Sequence, residues 1–534
     1  MRGLSRWQVR AFCASCLILV PFLKFVIRNE YGFLHIEVAA AAGLLVLVCV
    51  LAGLAARGAA FLVLTALLTA VMTTYPLQRM ASLLSLVSPG LLAVAIFTAT
   101  WWAARRMREN FFILLAVFTW SGVLVEMGMR ARTAGSAVQA SAAQPQRHIL
   151  WLILDEQIGL AGYPEQVPEC KSARSRLQNT LERYRFTLYP YAYSNYPVTV
   201  DSVPSLLNGR LVRWPEELMP RTGWGEMRHY AVRANRLFEE FTSNGYRVAA
   251  WQHGAMKICT GQAGLVQCRE YTEKLKWLHR APGDWRLRFR WLVGSYQSSD
   301  PWLVRVKGFF PFRFGIKLTG PLALEGLWPD QLAAEVLKAP QKTLFAAHLL
   351  TPHSPYLYRR DGAIRPMKEW ARDRADRRVS EQAYRELYCR YCEQTEFAAA
   401  QLDRLLSRLQ AADLLAGMTV VIHGDHGPRI LRRLPNTVET AVASQEEGIW
   451  PGRLDYTGEP DSRDLVDKFS TLLAVKHAGA AASYVCNEKH SVLTFLARDV
   501  FHRELPDGVN RADQVYLSDE RQAFHAIDIQ HYWR

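Results

Sequence analysis

"VVIHGDHGPR", Val420 to Arg429, is the stretch on which the fold turns. Val420, Val421 and Ile422 run straight into His423, Gly424, Asp425, His426 and Gly427. A short unbroken apolar run is the pattern of a strand buried on both faces of a mostly parallel sheet. In such sheets ligands bind beyond the carboxyl ends of the strands. An Asp and a His placed directly after the run therefore stand where chemistry is done. As a carboxylate and an imidazole they suit Zn²⁺ or Mn²⁺.

The same pattern recurs earlier in the chain. "HILWLILDE", His148 to Glu156, is an apolar run ending in two acids. "RLFEEFTSNGYRVAAWQ", Arg236 to Gln252, reads as helix, glycine turn and strand, with His253 next. "TLFAAHLL", Thr343 to Leu350, is a further strand, and His353 lies just past it. Arg385 to Gln410 has helical spacing and leads back to the opening strand. Alternating strands and helices imply an α/β domain with a central, mostly parallel sheet. Asp155, Glu156, His353, Asp425 and His426 then converge on one sheet edge. His253 either lines that edge or is a structural histidine.

"YPVTVDSVPSLLNGR", Tyr196 to Arg210, adds hydroxyls. Thr199 and Ser202 precede Pro204 and an apolar turn. One reading is helix capping. The other is a nucleophile at a helix N-terminus, where backbone N–H groups favour an anion and a metal activates the hydroxyl.

The N-terminal part is different. Ala11–Ile27, Val38–Ala56, Ala59–Tyr75, Ser82–Ala103 and Phe111–Met127 are apolar stretches of 17 to 22 residues, near the ~20 that cross a bilayer core. Arg2, Arg6, Arg10, Arg57, Arg105, Arg106 and Arg108 fall on one side of these spans, against Arg28 and Arg79 in the loops of the other and Arg130 and Arg132 after the last span. The positive-inside rule puts the N-terminus in the cytoplasm and everything after Met127 outside. The expected layout is a five-helix transmembrane domain over residues 1–129, a linker over 130–147 and an outer catalytic domain over 148–534. The formal net charge of +15 then suits anionic membrane or glycan partners, not nucleic acid. Trp285 to Lys317 mixes Arg, Lys, Trp and Phe, which suits either the lipid interface or a surface loop. An outer domain lies in an oxidising compartment, and Cys259 and Cys268 bracket a short loop, so a disulfide is expected there. Cys389 and Cys392 share a predicted helix, where packing outweighs a redox or zinc role.

"ILWLILDE", "TVDSVPSLLNG", "HLLTPHSPY" and "VVIHGDHG", in this order behind five spans, resemble the alkaline phosphatase/sulfatase superfamily. The layout looks like the lipoteichoic acid synthases, phosphoethanolamine transferases and phosphoglycerol transferases of bacterial envelopes. The resemblance implies metal ligands at Asp155 or Glu156, with Asp155 placed first, and at Asp425 and His426. It implies Thr199 as a metal-bound nucleophile and His353 as a histidine acting on the phosphoryl group. Ser202, His253 and Arg429 are candidates for substrate binding. Two departures bear on substrate. Leu206 stands where sulfatases of the formylglycine type have Arg. No cysteines flank Thr199, and Pro428 replaces the Glu of the phosphoethanolamine transferases.

The function implied is transfer of a phospholipid head group, phosphoethanolamine or phosphoglycerol, to an envelope glycan or lipid through a phospho-threonine. The cofactor is a divalent metal, Zn²⁺ or Mn²⁺, with Mg²⁺ or Ca²⁺ as alternatives. The location implied is the bacterial inner (plasma) membrane, multi-pass, with a periplasmic or extracellular catalytic domain. A membrane-tethered sulfatase or phosphodiesterase, and a non-catalytic envelope assembly scaffold, are the alternatives.

Overall fold

The computed structural model describes residues 19–27, 31–55, 148–211, 218–221, 229–232, 234–253, 256–259, 266–270, 285–299, 328–339, 342–366, 381–430, 462–500, 514–518 and 524–528, with residues 98, 278, 326 and 369 singly. The chain divides into two compact units, Met1–Gln139 with Lys274–Lys317, and Ala140–Glu273 with Leu318–Arg534. Lys274–Lys317, which the sequence alone assigns to the outer domain, thus belongs to the first unit.

In the first unit, helix α1 (Ile36–Ala55) covers most of the second apolar stretch. Part of the first stretch is helical. Ala59–Tyr75 and Phe111–Met127 lie outside the described residues, as do the linker and all of Ser82–Ala103 but Thr98. Among the described residues no helix is long and apolar enough to cross a membrane. The basic-aromatic segment is helical over its described part, Trp285–Ser299. It packs on α1 and the chain before it: Arg288 Nε is 3.4 Å from Glu37 Oε1, and Phe22 meets Tyr296 edge-on at 5.4 Å. That helix is therefore held by protein on one side, with Trp291 and Leu292 buried.

The second unit is built on an eight-stranded sheet. In chain order its strands are β1 (Ile149–Leu154), β2 (Thr187–Leu188), β3 (Arg247–Gln252), β4 (Val266–Glu270), β5 (Thr343–Leu349), β6 (Thr419–Gly424), β7 (Leu473–Lys476) and β8 (Tyr484–Val485). The spatial order is β8-β2-β7-β6-β1-β5-β3-β4. The run β6-β1-β5-β3-β4 is parallel throughout, and β7 is antiparallel to both its neighbours. Leu150, Leu152 and Leu154 face one core, packed with Leu402, Leu406 and Val336 from helices. Trp151 and Ile153 face the other, with Val203, Phe238 and Leu473. Burial on both faces is why these strands carry apolar residues without alternation.

With Trp285–Ser299 of the first unit as α5, the helices of the second unit that matter for the site are α2 (Pro168–Arg183), α3 (Thr199–Asn208), α4 (Arg236–Ser243), α6 (Trp328–Lys338) and α7 (Glu381–Ala411). The glycine turn before β3 is Gly245, at φ +75°, a conformation that costs an L side chain about 1–2 kcal/mol. Two disulfides lie in this unit. Cys259–Cys268 is the expected one. Cys392 does more than pack: it bonds Cys170, tying α7 to α2 across a sequence separation of 222. Closing so long a loop restricts the unfolded chain, so Cys170→Ser with Cys392→Ser is expected to lose ~2–5 kcal/mol of stability in denaturant unfolding. An unchanged midpoint would show that the bridge contributes nothing.

Candidate active site

β1, β6, β5 and β3 are neighbours and point the same way, so their carboxyl ends form one rim. Leu154 sits in register with Gly424 and with Leu349. Asp155 follows on β1, Asp425 and His426 on β6, and His253 on β3. His348 lies one residue inside the end of β5. All five are almost fully buried.

Two close groups of ligating atoms share Asp155: Asp155, Asp425 and His426, and Asp155, His253 and His348, each set within 4.8 Å. Thr199 joins the first. Its Oγ1 is 3.1 Å from His426 Nε2 and 3.5 Å from Asp155 Oδ1. His426 Nε2 lies 3.2 Å from Asp425 Oδ2 and 3.9 Å from Asp155 Oδ1. His426 Nδ1 is 2.8 Å from the Gly427 carbonyl, which can only accept, so Nδ1 carries the proton and Nε2 presents a lone pair. Asp425 Oδ2 is buried with no hydrogen-bond donor on it. A carboxylate oxygen and an imidazole lone pair thus face each other in the buried interior, an arrangement that asks for a cation. A tetrahedral Zn²⁺ with ligands at about 2.0–2.1 Å has ligand–ligand edges of about 3.3 Å, close to the separations seen. Asp155, Thr199, Asp425 and His426 therefore fit a divalent metal.

The electrostatics agree. Burial, with the negative charge of Asp155, pushes Asp425 up to about 7. Burial works against ionisation of Asp155 too, but the imidazoles of His353, His348 and His426 hold it below the usual carboxylate range. Burial and the Arg429 guanidinium keep His426 neutral. A buried pair of acids, one forced to hold its proton by the other, is a site short of positive charge.

Local structure explains the motif. A Cβ on Gly427 would stand 2.1 Å from the Asp467 carbonyl oxygen, and one on Gly424 2.4 Å from that of Gln157. Both glycines let the loop close against its neighbours. Asp425 Oδ1 accepts from the backbone N–H of Glu156 and of His426, at 3.0 and 2.9 Å, which fixes its carboxylate. Ser202 Oγ donates to the Asp425 carbonyl at 2.7 Å. Ser202 therefore supports the loop, where the sequence suggested contact with substrate. Thr199 is the first residue of α3; Val198 holds the capping position with no side-chain bond, so neither hydroxyl caps the helix.

Glu156 turns elsewhere. It pairs with Arg429, lies 3.5 Å from His353 Nε2, and accepts from the Ser354 N–H at 3.1 Å. Glu156 (φ 62°) and Arg429 (φ 56°) are two of four non-glycine residues at positive φ among the described residues, and this backbone conformation costs about 1–2 kcal/mol at each. Their mutual ion pair holds both in place. Burial opposes protonation of His353, but Glu156 and Asp155 outweigh it and raise its pKa. The rim is braced by α7. Tyr391 donates to the Glu156 carbonyl at 2.7 Å, and Gln394 donates to the Pro352 and His353 carbonyls at 2.9 Å each.

His423 is excluded from the site: its Nε2 accepts from Trp151 at 2.6 Å and its Nδ1 donates to Gly424 at 2.8 Å. His348 escaped the sequence reading. Its signal is a lone imidazole in a strand whose every residue is buried. His253 meets it at a tilt, ring centroids 4.6 Å apart.

No family model and no curated protein matches the chain. Among solved structures it is similar to the C-terminal periplasmic domain of EcEptC from Escherichia coli, at 14% identity over 73% of this chain and 94% of that one, with a TM-score of 0.36. It is similar to the lipoteichoic acid synthase LtaP from Listeria monocytogenes, at 13% identity over 73% and 84%, TM-score 0.36. A 2-O GAG sulfatase matches at 12% identity over 70% and 77%, TM-score 0.38. At these identities the likeness lends no activity to this chain.

Proposed function

We propose that this chain is a metal-dependent enzyme of the alkaline phosphatase/sulfatase type that transfers a phospholipid head group, phosphoethanolamine or phosphoglycerol, to an envelope glycan or lipid. The observation that carries the reading is the Thr199 hydroxyl, placed at a helix N-terminus and within 3.5 Å of both Asp155 and His426. Asp155, Thr199, Asp425 and His426 would hold the metal. When bound, the metal lowers the hydroxyl pKa and offsets charge built up at phosphorus.

The chain's own residues do the rest. Thr199 Oγ1 attacks the donor phosphodiester, and its proton passes to an acceptor of the cluster. The bond from phosphorus to the diacylglycerol oxygen breaks, leaving a phospho-threonine diester. His353 retains a proton beside Glu156, so it is the acid that can supply the departing oxygen. A sugar hydroxyl then displaces Thr199 and takes the head group. The N-terminal α3 amides face the developing negative charge.

The reading places the enzyme in the bacterial plasma membrane with this unit outside. Support comes from the five apolar stretches, the one-sided Arg distribution, and the exposed Leu44, Leu47, Leu51 and Leu54 of α1. The test is the mass of the Thr199 peptide after the detergent-solubilised protein meets mixed bacterial phospholipids and divalent metal without acceptor. A phosphoethanolamine or phosphoglycerol adduct on Thr199, absent in Thr199→Ala, is expected. No adduct, with diesters or sulfate esters still cleaved to free products, would leave a hydrolase instead.

A further inference from the structure

Three ligating side chains meet far along the chain from these residues. Cys486, Glu488 and His490 follow β8 at intervals of two, with Glu488 in a bend that turns its carboxylate back towards the other two. Cys486 is in no disulfide. Its Sγ is 3.6 Å from His490 Nε2, and the same nitrogen is 3.6 Å from Glu488 Oε2. The three ligating atoms all lie within 4.8 Å of one another.

One nitrogen is asked for two opposite things. If Nε2 carries the lone pair it suits the thiol but faces a carboxylate. If it carries the proton it suits Glu488 and leaves the thiol without an acceptor there. A cation between the three removes the conflict. With Zn²⁺ at about 2.3 Å from sulfur and about 2.0–2.1 Å from nitrogen and oxygen, tetrahedral geometry gives S–N and N–O edges of about 3.6 and about 3.3 Å. The observed separations are those of a preformed face.

The segment is also anchored. The Cys486 N–H donates to the Leu188 carbonyl at 2.8 Å. His490 pairs in register with Ala192, and its ring meets Tyr189 edge-on at 5.3 Å. The Glu488 side chain is 80% exposed, so it can swing to complete the set, and a fourth position opens to solvent.

We propose that Cys486, Glu488 and His490 form a second divalent-metal site, of zinc type, that shares no residue with the Thr199 site and pins the 484–491 segment to the sheet edge. Thiolate selects zinc over Mg²⁺, Ca²⁺ and Mn²⁺. On binding, the Cys486 thiol gives up its proton to solvent as the sulfur–metal bond forms.

The experiment titrates Co²⁺ into the full chain, stripped of metal in detergent with both disulfides intact. A thiolate-to-cobalt absorption band is expected, displaced by Zn²⁺. Cys486→Ser should abolish it and lower bound zinc by one equivalent per chain. Glu488→Gln, at an exposed position that the fold does not need, should weaken binding more than about tenfold. Asp425→Asn should leave the band in place, because the Thr199 site has no thiolate. A wild-type protein with no band, a band that persists in Cys486→Ser, or Glu488→Gln binding like wild type would each overturn the site.

Discussion

Thr199→Ala is expected to lower turnover of a phosphodiester donor by roughly 10⁴-fold or more, the scale at which loss of a nucleophile is felt. The melting temperature should stay near that of the wild type. The hydroxyl is the group that the site offers for attack, and the atoms around it, Asp155 Oδ1 and His426 Nε2, are acceptors. Removing it therefore strands no buried donor. Thr199→Ser keeps the oxygen and should keep most of the activity. Steady-state rates at saturating metal, with melting curves on the same samples, decide the matter. A Thr199→Ala loss below about a hundredfold would show that the attacking oxygen comes from elsewhere, water being the first candidate.

Asp425→Asn should have effects of opposite sign with and without metal. Without metal, the Asp425 carboxyl titrates near 7 when folded, against 3.8 for an unperturbed group. The folded state then binds the proton more tightly, so the stability linked to Asp425 is fully present below about 4 and is lost as pH rises through about 7. Asp155 adds no slope across this window, since its depressed pKa leaves it ionised in both states. Asn cannot ionise, and its amide oxygen can still accept from the Glu156 and His426 N–H groups. Metal-free Asp425→Asn should therefore be more stable than metal-free wild type at pH 8, by on the order of 2–4 kcal/mol, with the gap closing towards pH 5. With divalent metal the order reverses, because the variant loses more than about 100-fold in affinity. Wild-type affinity should itself rise with pH through about 7, as the Asp425 proton must leave. Melting curves from pH 5 to pH 8, with metal and with chelator, test all of this. A metal-free variant no more stable than wild type at pH 8 would show that the two acids are not in conflict.

The sequence by itself determined the local elements and where they end. "ILWLIL" and "TVVIHG" are strands because unbroken β-branched and leucine runs bury both faces of a parallel sheet. The same runs locate Asp155 and Asp425 one step past a strand end and His426 two. Cys259 and Cys268 were legible as a pair because a short loop keeps them close. What only the tertiary structure decided is which strand lies beside which. The order β6-β1-β5-β3 sets Asp155 between Asp425 on one side and His348 on the other, and no local pattern encodes that adjacency. It turns His348 from one imidazole in an apolar strand into a partner of His253. It brings Cys170 to Cys392 and Glu156 to Arg429 from more than two hundred residues away, and sets Ser202 under the Asp425 carbonyl. Periodicity is a property of neighbours along the chain, whereas a site is made by neighbours across the sheet, and those are fixed only when the core is packed.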